Sequence, residues 1–123
     1  MRTIKLPEEN RLPSLKHCER KDYDSKYLPI MNELGLSDPT KEEVDALRSM
    51  VSNKLMEISD RYVRQGMMDI MQGKIKRLED VPLFREPDGK GGVIIRNIPD
   101  DCSLWLSFQI WLNELSKSLQ KEL

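Results

Sequence analysis

Histidine, cysteine and long apolar runs are what this chain has least of. It holds one histidine, His17, and two cysteines, Cys18 and Cys102. A four-ligand Cys/His zinc site cannot be completed from that set, and no metal or other cofactor is expected. A lone imidazole also leaves little room for a hydrolytic triad, which needs a nucleophile, a base and an orienter. His17 adjoins Cys18, and sequence neighbours rarely face one another in regular structure, so the pair reads as structural. Two cysteines so far apart match no metal spacing and are expected to be thiols in a reducing compartment. The longest apolar runs, such as Val93-Ile94-Ile95, have three residues, against the ~20 that a membrane span needs. The opening MRTIKLPEEN lacks the apolar region of a secretory signal. The expectation is a soluble intracellular protein without a membrane role, cytoplasmic, with a nuclear location left open.

Charge of one sign is lacking as well. The 123 residues carry 20 Lys+Arg and 21 Asp+Glu, for a net charge of −1. Nucleic-acid affinity rests largely on cations that meet phosphate, so this balance disfavours a bulk polyanion binder. It equally disfavours a chain held open by self-repulsion. The length fits one domain, which would bury roughly two-thirds of its unfolded surface. There is neither an internal repeat nor a low-complexity tract.

What is present is helical periodicity. Residues 1–26 mix Pro7 and Pro13 with many charges and sustain no apolar period. They read as a weakly structured arm, laid over the core through Ile4, Leu6, Leu12 and Leu15, ahead of one helical domain over 27–123. A short helix is predicted over about 28–34, with Pro29 in its first turn and Gly35 as its stop. The strongest signal follows. Either Asp38 caps a helix with Pro39 at its first position, or Thr40 caps it and Glu43 completes a capping box. Val44, Leu47, Val51, Leu55, Ile58 and Tyr62 then recur in steps of three and four, one stripe of a long amphipathic helix over about 39–72. Glu57 and Asp60 precede Arg61 and Arg64 by four residues, a favourable order for ion pairs. Such a helix would be about 50 Å long. It either breaks near Gly66 or projects and needs a partner along its length, and Gly73 ends it. Leu83-Phe84 and Val93-Ile94-Ile95 flank a glycine-rich turn and predict a hairpin over about 83–96, which would have to pack on the helices. A last helix, about 100–121, is capped by Asp100 or Asp101. Its apolar side carries Leu104, Trp105, Phe108, Trp111, Leu112, Leu115 and Leu119. The fold class is mainly α with one small β-hairpin.

Chemistry has few places to hide. Glu42/Glu43 and Asp100/Asp101 are paired carboxylates, but both sit at predicted helix starts, where capping accounts for them. Pro87-Asp88 begins a nuclease-like metal motif whose second half, an acid, any residue and a lysine, does not follow. Asp88-Gly89-Lys90-Gly91-Gly92 has the wrong spacing for a phosphate loop and precedes a strand rather than a helix. Methionine, by contrast, is abundant. Met67, Met68 and Met71 cluster at the end of the long helix, after Met50 and Met56, and methionine adapts to irregular partner surfaces. The first reading is therefore a non-catalytic, regulatory module that binds a protein partner or a second copy of itself through the long helix, with Tyr62, Met67, Met68 and Met71 at the contact. The second is a nucleic-acid-binding regulator. Residues 73–98 hold six bases against four acids, so Lys74, Lys76, Arg77, Arg85, Lys90 and Arg96 would touch phosphate or an acidic partner.

Overall fold

The elements run α1 (Tyr23–Glu33), α2 (Lys41–Met71), an antiparallel hairpin of β1 (Phe84–Pro87) and β2 (Val93–Arg96), and α3 (Asp100–Lys121). Single 3-10 turns occupy Glu9–Arg11, Arg20–Asp22 and Leu78–Asp80. This computed structural model describes residues 3–16 and 18–121. His17, and with it the His17–Cys18 pair, lies outside the described residues. Cys18 and Cys102 are not joined in a disulfide, and Cys102 is buried.

Local chemistry explains the helix ends. The Glu43 N–H donates to Thr40 Oγ1 at 3.1 Å, and the Thr40 N–H donates to Glu43 Oε1 at 2.9 Å. That reciprocal pair is the capping box, so α2 starts after Thr40 rather than at Pro39. α1 and α2 both stop the same way. Gly35 and Gly73 adopt φ of +77° and +75°, which a side chain rarely tolerates. Just beyond them, the Leu36 N–H reaches the Met31 carbonyl and the Lys74 N–H reaches the Asp69 carbonyl, both at 2.8 Å. Two expectations are corrected here. α1 begins at Tyr23, so Pro29 lies inside the helix rather than in its first turn. The three residues Tyr27, Ile30 and Met31 are buried, and their packing outweighs the one backbone bond that proline forfeits. α3 begins at Asp100, so both aspartates fall within its first turn, where the helix dipole favours them, and the Pro99 carbonyl accepts from the Ser103 N–H.

The chain divides into two compact units, Met1–Lys54 with Leu104–Leu123, and Leu55–Ser103. In the first unit, Val44, Leu47 and Val51 of α2 are buried, as are Trp105, Phe108, Trp111 and Leu112 of α3. Tyr27 of α1 stacks on Phe108 and Trp111 with centroids 5.4 and 5.1 Å away. Both indoles find acceptors: Trp111 Nε1 donates to Asp24 Oδ1 at 2.8 Å, and Trp105 Nε1 to Glu9 Oε1 at 3.0 Å. The N-terminal segment is thus tied to the core through Glu9 and buried Leu12, with Arg11–Glu33 and Arg20–Glu114 as further ion pairs.

A polar seam joins α2 to α3 in the same unit. Ser116 Oγ donates to Asp45 Oδ1 at 2.7 Å, Arg48 Nε to Asn113 Oδ1 at 2.8 Å, and Gln109 Nε2 to Ser52 Oγ at 2.9 Å. Rising numbers on one helix meet falling numbers on the other, so the two run antiparallel. Lys41 Nζ lies 2.7 Å and Arg48 NH1 3.0 Å from the Asp45 carboxylate. The expected couples Glu57–Arg61 and Asp60–Arg64 do not form, because an exposed pair contributes only a few tenths of a kcal/mol against the entropy of two long side chains.

Hydrogen bonds from Lys41 first and Ser116 second lower the Asp45 pKa to about 2. Its folded-state value lies below the unfolded one. The stabilisation is therefore complete above about pH 4 and is lost as pH falls through about 2. Asp45→Asn should remove this acid limb. Its stability deficit against the parent, about 1 kcal/mol after solvent screening of a partly exposed group, should be constant near neutrality and vanish towards pH 2. Urea titrations at a series of pH values measure it. A deficit that stays constant down to pH 2 would place the linkage elsewhere.

Candidate functional site

The second unit is built differently. α2 continues through Gly66 to Met71 without a break, and the reason is packing. Gly66 is buried, and a Cβ placed on it would meet Val81 Cβ at 3.4 Å and Pro82 Cδ at 3.6 Å. The absent side chain lets the 81–82 backbone lie against the helix, which supplies the close approach that glycine permits. Tyr62 hydroxyl donates to Asp101 Oδ1 at 3.0 Å, and the Cys102 N–H donates to the same oxygen at 2.9 Å. The hydrogen bond to Asp101 raises the Tyr62 pKa, so the phenol stays protonated and neutral. This assigns the Asp101 carboxylate a holding role in the first turn of α3.

The sequence led one to expect that the hairpin packs on the helices; Leu83 and Phe84 line a groove with α2, whereas Val93, Ile94 and Ile95 do not. Those three side chains are exposed, at 62%, 44% and 41%. Its base is held by polar contacts instead: Asn97 Nδ2 donates to the carbonyls of Glu79 at 2.8 Å and Val81 at 2.9 Å, and the Leu83 N–H to the Asn97 carbonyl at 3.1 Å. Leu83 and Asn97 both adopt positive φ, +59° and +57°. Asparagine tolerates that region, whereas for leucine it is uncommon and costs on the order of 1 kcal/mol. At the tip, Asp88 Oδ1 accepts the N–H groups of Lys90 at 2.7 Å and Gly92 at 2.9 Å. Those bonds lower the Asp88 pKa. They also consume the amides a phosphate would require, which gives the glycine-rich loop a turn-forming role.

Large apolar side chains are distributed very unequally. Among the described residues, twelve of the fourteen that form the buried apolar core belong to the first unit, and eleven of the fourteen large exposed ones belong to Leu55–Ser103. Met67, Met68 and Met71 are exposed at 61%, 51% and 84%, while Tyr62 is half-buried. Sequence reading found these four but passed over Val63, Ile70 and Leu78, which are exposed beside them. The period of the helix continues past Tyr62, and a stripe with nothing predicted to cover it was the available signal.

A groove of about 270 Å³ opens in this unit. Tyr62, Val63, Gly66, Met67 and Ile70 of α2 form one wall. Leu78, Val81, Pro82, Leu83, Phe84 and Arg85 form the other. The six basic residues of the 74–96 segment are all exposed but do not make one face. Phe84 pairs with Arg96 and Arg85 with Ile95, so Arg85 and Arg96 lie on opposite faces of the hairpin. Arg96 is bound to Glu86, and Arg77 to Glu79. No three His, Cys, Asp or Glu side chains among the described residues come together to hold a metal ion, and no described helix is long and apolar enough to cross a membrane. Comparison with protein-family models, with curated proteins and with solved structures returns no match.

Proposed function

We propose that this protein is a non-catalytic interaction module, acting inside the cell, whose second unit presents the C-terminal half of α2 and its neighbours to a protein partner or to a second copy of the chain. The observation that carries this reading is the concentration of exposed large apolar side chains on Leu55–Ser103, whereas the described residues of the first unit hold most of the buried core. Exposed apolar surface is costly in water unless something covers it, and the methionines among these side chains suit irregular contact. A photo-crosslinking amino acid placed at Met68 or Met71 should capture a partner or a second copy in cells, whereas the same group at exposed Ser49 of the first unit should capture neither. Equal yields at the two places would sink the reading.

A nucleic-acid-binding regulator is the second reading. Lys74, Lys76, Arg85 and Lys90 support it, since they have no ion-pair partner among the described residues. The opposed faces of Arg85 and Arg96 count against it. Were it correct, duplex or single-stranded probes would be retarded in a gel, with an affinity that falls steeply with salt.

A further inference from the structure

Accounting for charge around the groove narrows the kind of partner it fits. Within 74–96, Glu79 and Glu86 are occupied by Arg77 and Arg96, and Asp88 is held by the amides of its own turn. Lys74, Lys76, Arg85 and Lys90 have no ion-pair partner among the described residues, with Asp80 as the remaining acid of the segment. Among the described residues, Arg85 is the one charged residue that lines the groove; the rest of the described lining is apolar apart from the Tyr62 hydroxyl, which Asp101 already engages. A second copy docked groove to groove would bring the two Arg85 guanidinium groups together, at a cost for that like-charge contact. Nucleic acid would have little use for walls of Val63, Met67, Ile70, Leu78 and Leu83. At about 270 Å³ the space falls just short of the roughly 300–1,000 Å³ of small-molecule sites. Its helical wall, Tyr62 to Ile70, rises about 12 Å, or two turns, which matches the spacing of apolar anchors on a docked helix.

We infer that the groove receives an acidic amphipathic segment of a partner protein, its apolar side chains entering between α2 and the Leu78–Phe84 wall and a carboxylate meeting the Arg85 guanidinium. This inference rests on the interaction reading above and adds the partner's chemistry to it.

The test uses the full chain and two fluorescent synthetic peptides of about sixteen residues, both with leucines at i, i+3, i+4 and i+7, one with glutamate and one with lysine at the remaining positions. Fluorescence anisotropy should show the glutamate peptide binding at least about tenfold more tightly, with an advantage that shrinks between about 0.05 and about 0.3 M salt. Arg85→Glu should cancel or reverse that preference. Met67→Asp should abolish binding of both peptides while the far-UV circular dichroism stays unchanged, since both positions are exposed. Equal or tighter binding of the lysine peptide, or glutamate-peptide binding untouched by Arg85→Glu, overturns the acidic partner. If Met67 still governs that binding, the interaction module itself stands. A concentration-dependent dimer in sedimentation that Met67→Asp dissolves overturns it in favour of a second copy. Retardation of a DNA duplex that Arg85→Glu removes overturns it in favour of nucleic acid. Failure of both peptides in a chain that stays monomeric overturns the inference and the interaction reading together.

Discussion

Phe108→Ala should destabilise the protein by about 3–5 kcal/mol, the range for deleting a fully buried aromatic side chain. Phe108 has no exposed surface, and its ring belongs to a three-ring cluster, with Tyr27 at 5.4 Å and Trp111 at 6.4 Å. The loss combines transfer of the ring to water, the cavity left behind and the stacking with two neighbours, worth about 0.5–1.5 kcal/mol for each aromatic pair. Domains of this size have only about 5–15 kcal/mol in total, so a large share of the molecules could be unfolded at 37 °C. Urea denaturation followed by the fluorescence of Trp105 and Trp111 reads the change directly. A loss below about 1 kcal/mol would mean that the three rings are not packed as described.

Tyr27 should respond in opposite directions to two substitutions. Tyr27→Ala deletes the ring shared by Phe108 and Trp111 and should cost about 3–5 kcal/mol. Tyr27→Phe keeps the ring and removes a hydroxyl that is buried with no hydrogen-bond partner among the described residues. Burial pushes that phenol's pKa up, because the anion would be worse placed still. Such an unsatisfied group costs about 1–3 kcal/mol to bury, so the phenylalanine variant should be more stable by about 1 kcal/mol. Thermal melts of the two variants beside the parent decide the matter. Destabilisation by phenylalanine would show that the hydroxyl is held by a favourable contact after all.

Much of the fold was legible because it is written in local signals. The Thr40–Glu43 box, the two stop glycines and the stripes Val44–Tyr62 and Leu104–Leu119 each depend on residues within a few positions of one another. What escaped depends on distant partners. Nothing near Pro29 reveals that α1 extends back to Tyr23, since the helix is justified by Tyr27, Ile30 and Met31 entering the core. Gly66 reads as a helix breaker in isolation and becomes intelligible once Val81 and Pro82 lie against it. The hairpin is legible from its β-prone strands and glycine-rich turn, but which strand meets the helices is not. Asn97 anchors its base to the Glu79 and Val81 carbonyls and leaves Val93–Ile95 in water. Of the proposed contact surface, the methionines were legible from composition. The groove was not, because its second wall is a turn-rich segment with no period to read, and because the opposite faces of Arg85 and Arg96 follow only from the strand register.

The discontinuity of the first unit bears on how the protein emerges during synthesis. Its N-terminal portion, through Lys54, is made first, but Trp105, Phe108, Trp111 and Leu112 follow only after the Leu55–Ser103 stretch. A nascent chain at that stage holds Val44, Leu47 and Val51 without the aromatic half of their core, and adds the exposed apolar residues of the second unit beside them. Bringing the two halves together across about fifty residues costs little more than closing a shorter loop, since closure entropy grows only with the logarithm of length. The burden is one of timing: the chain is most adhesive just before α3 leaves the ribosome.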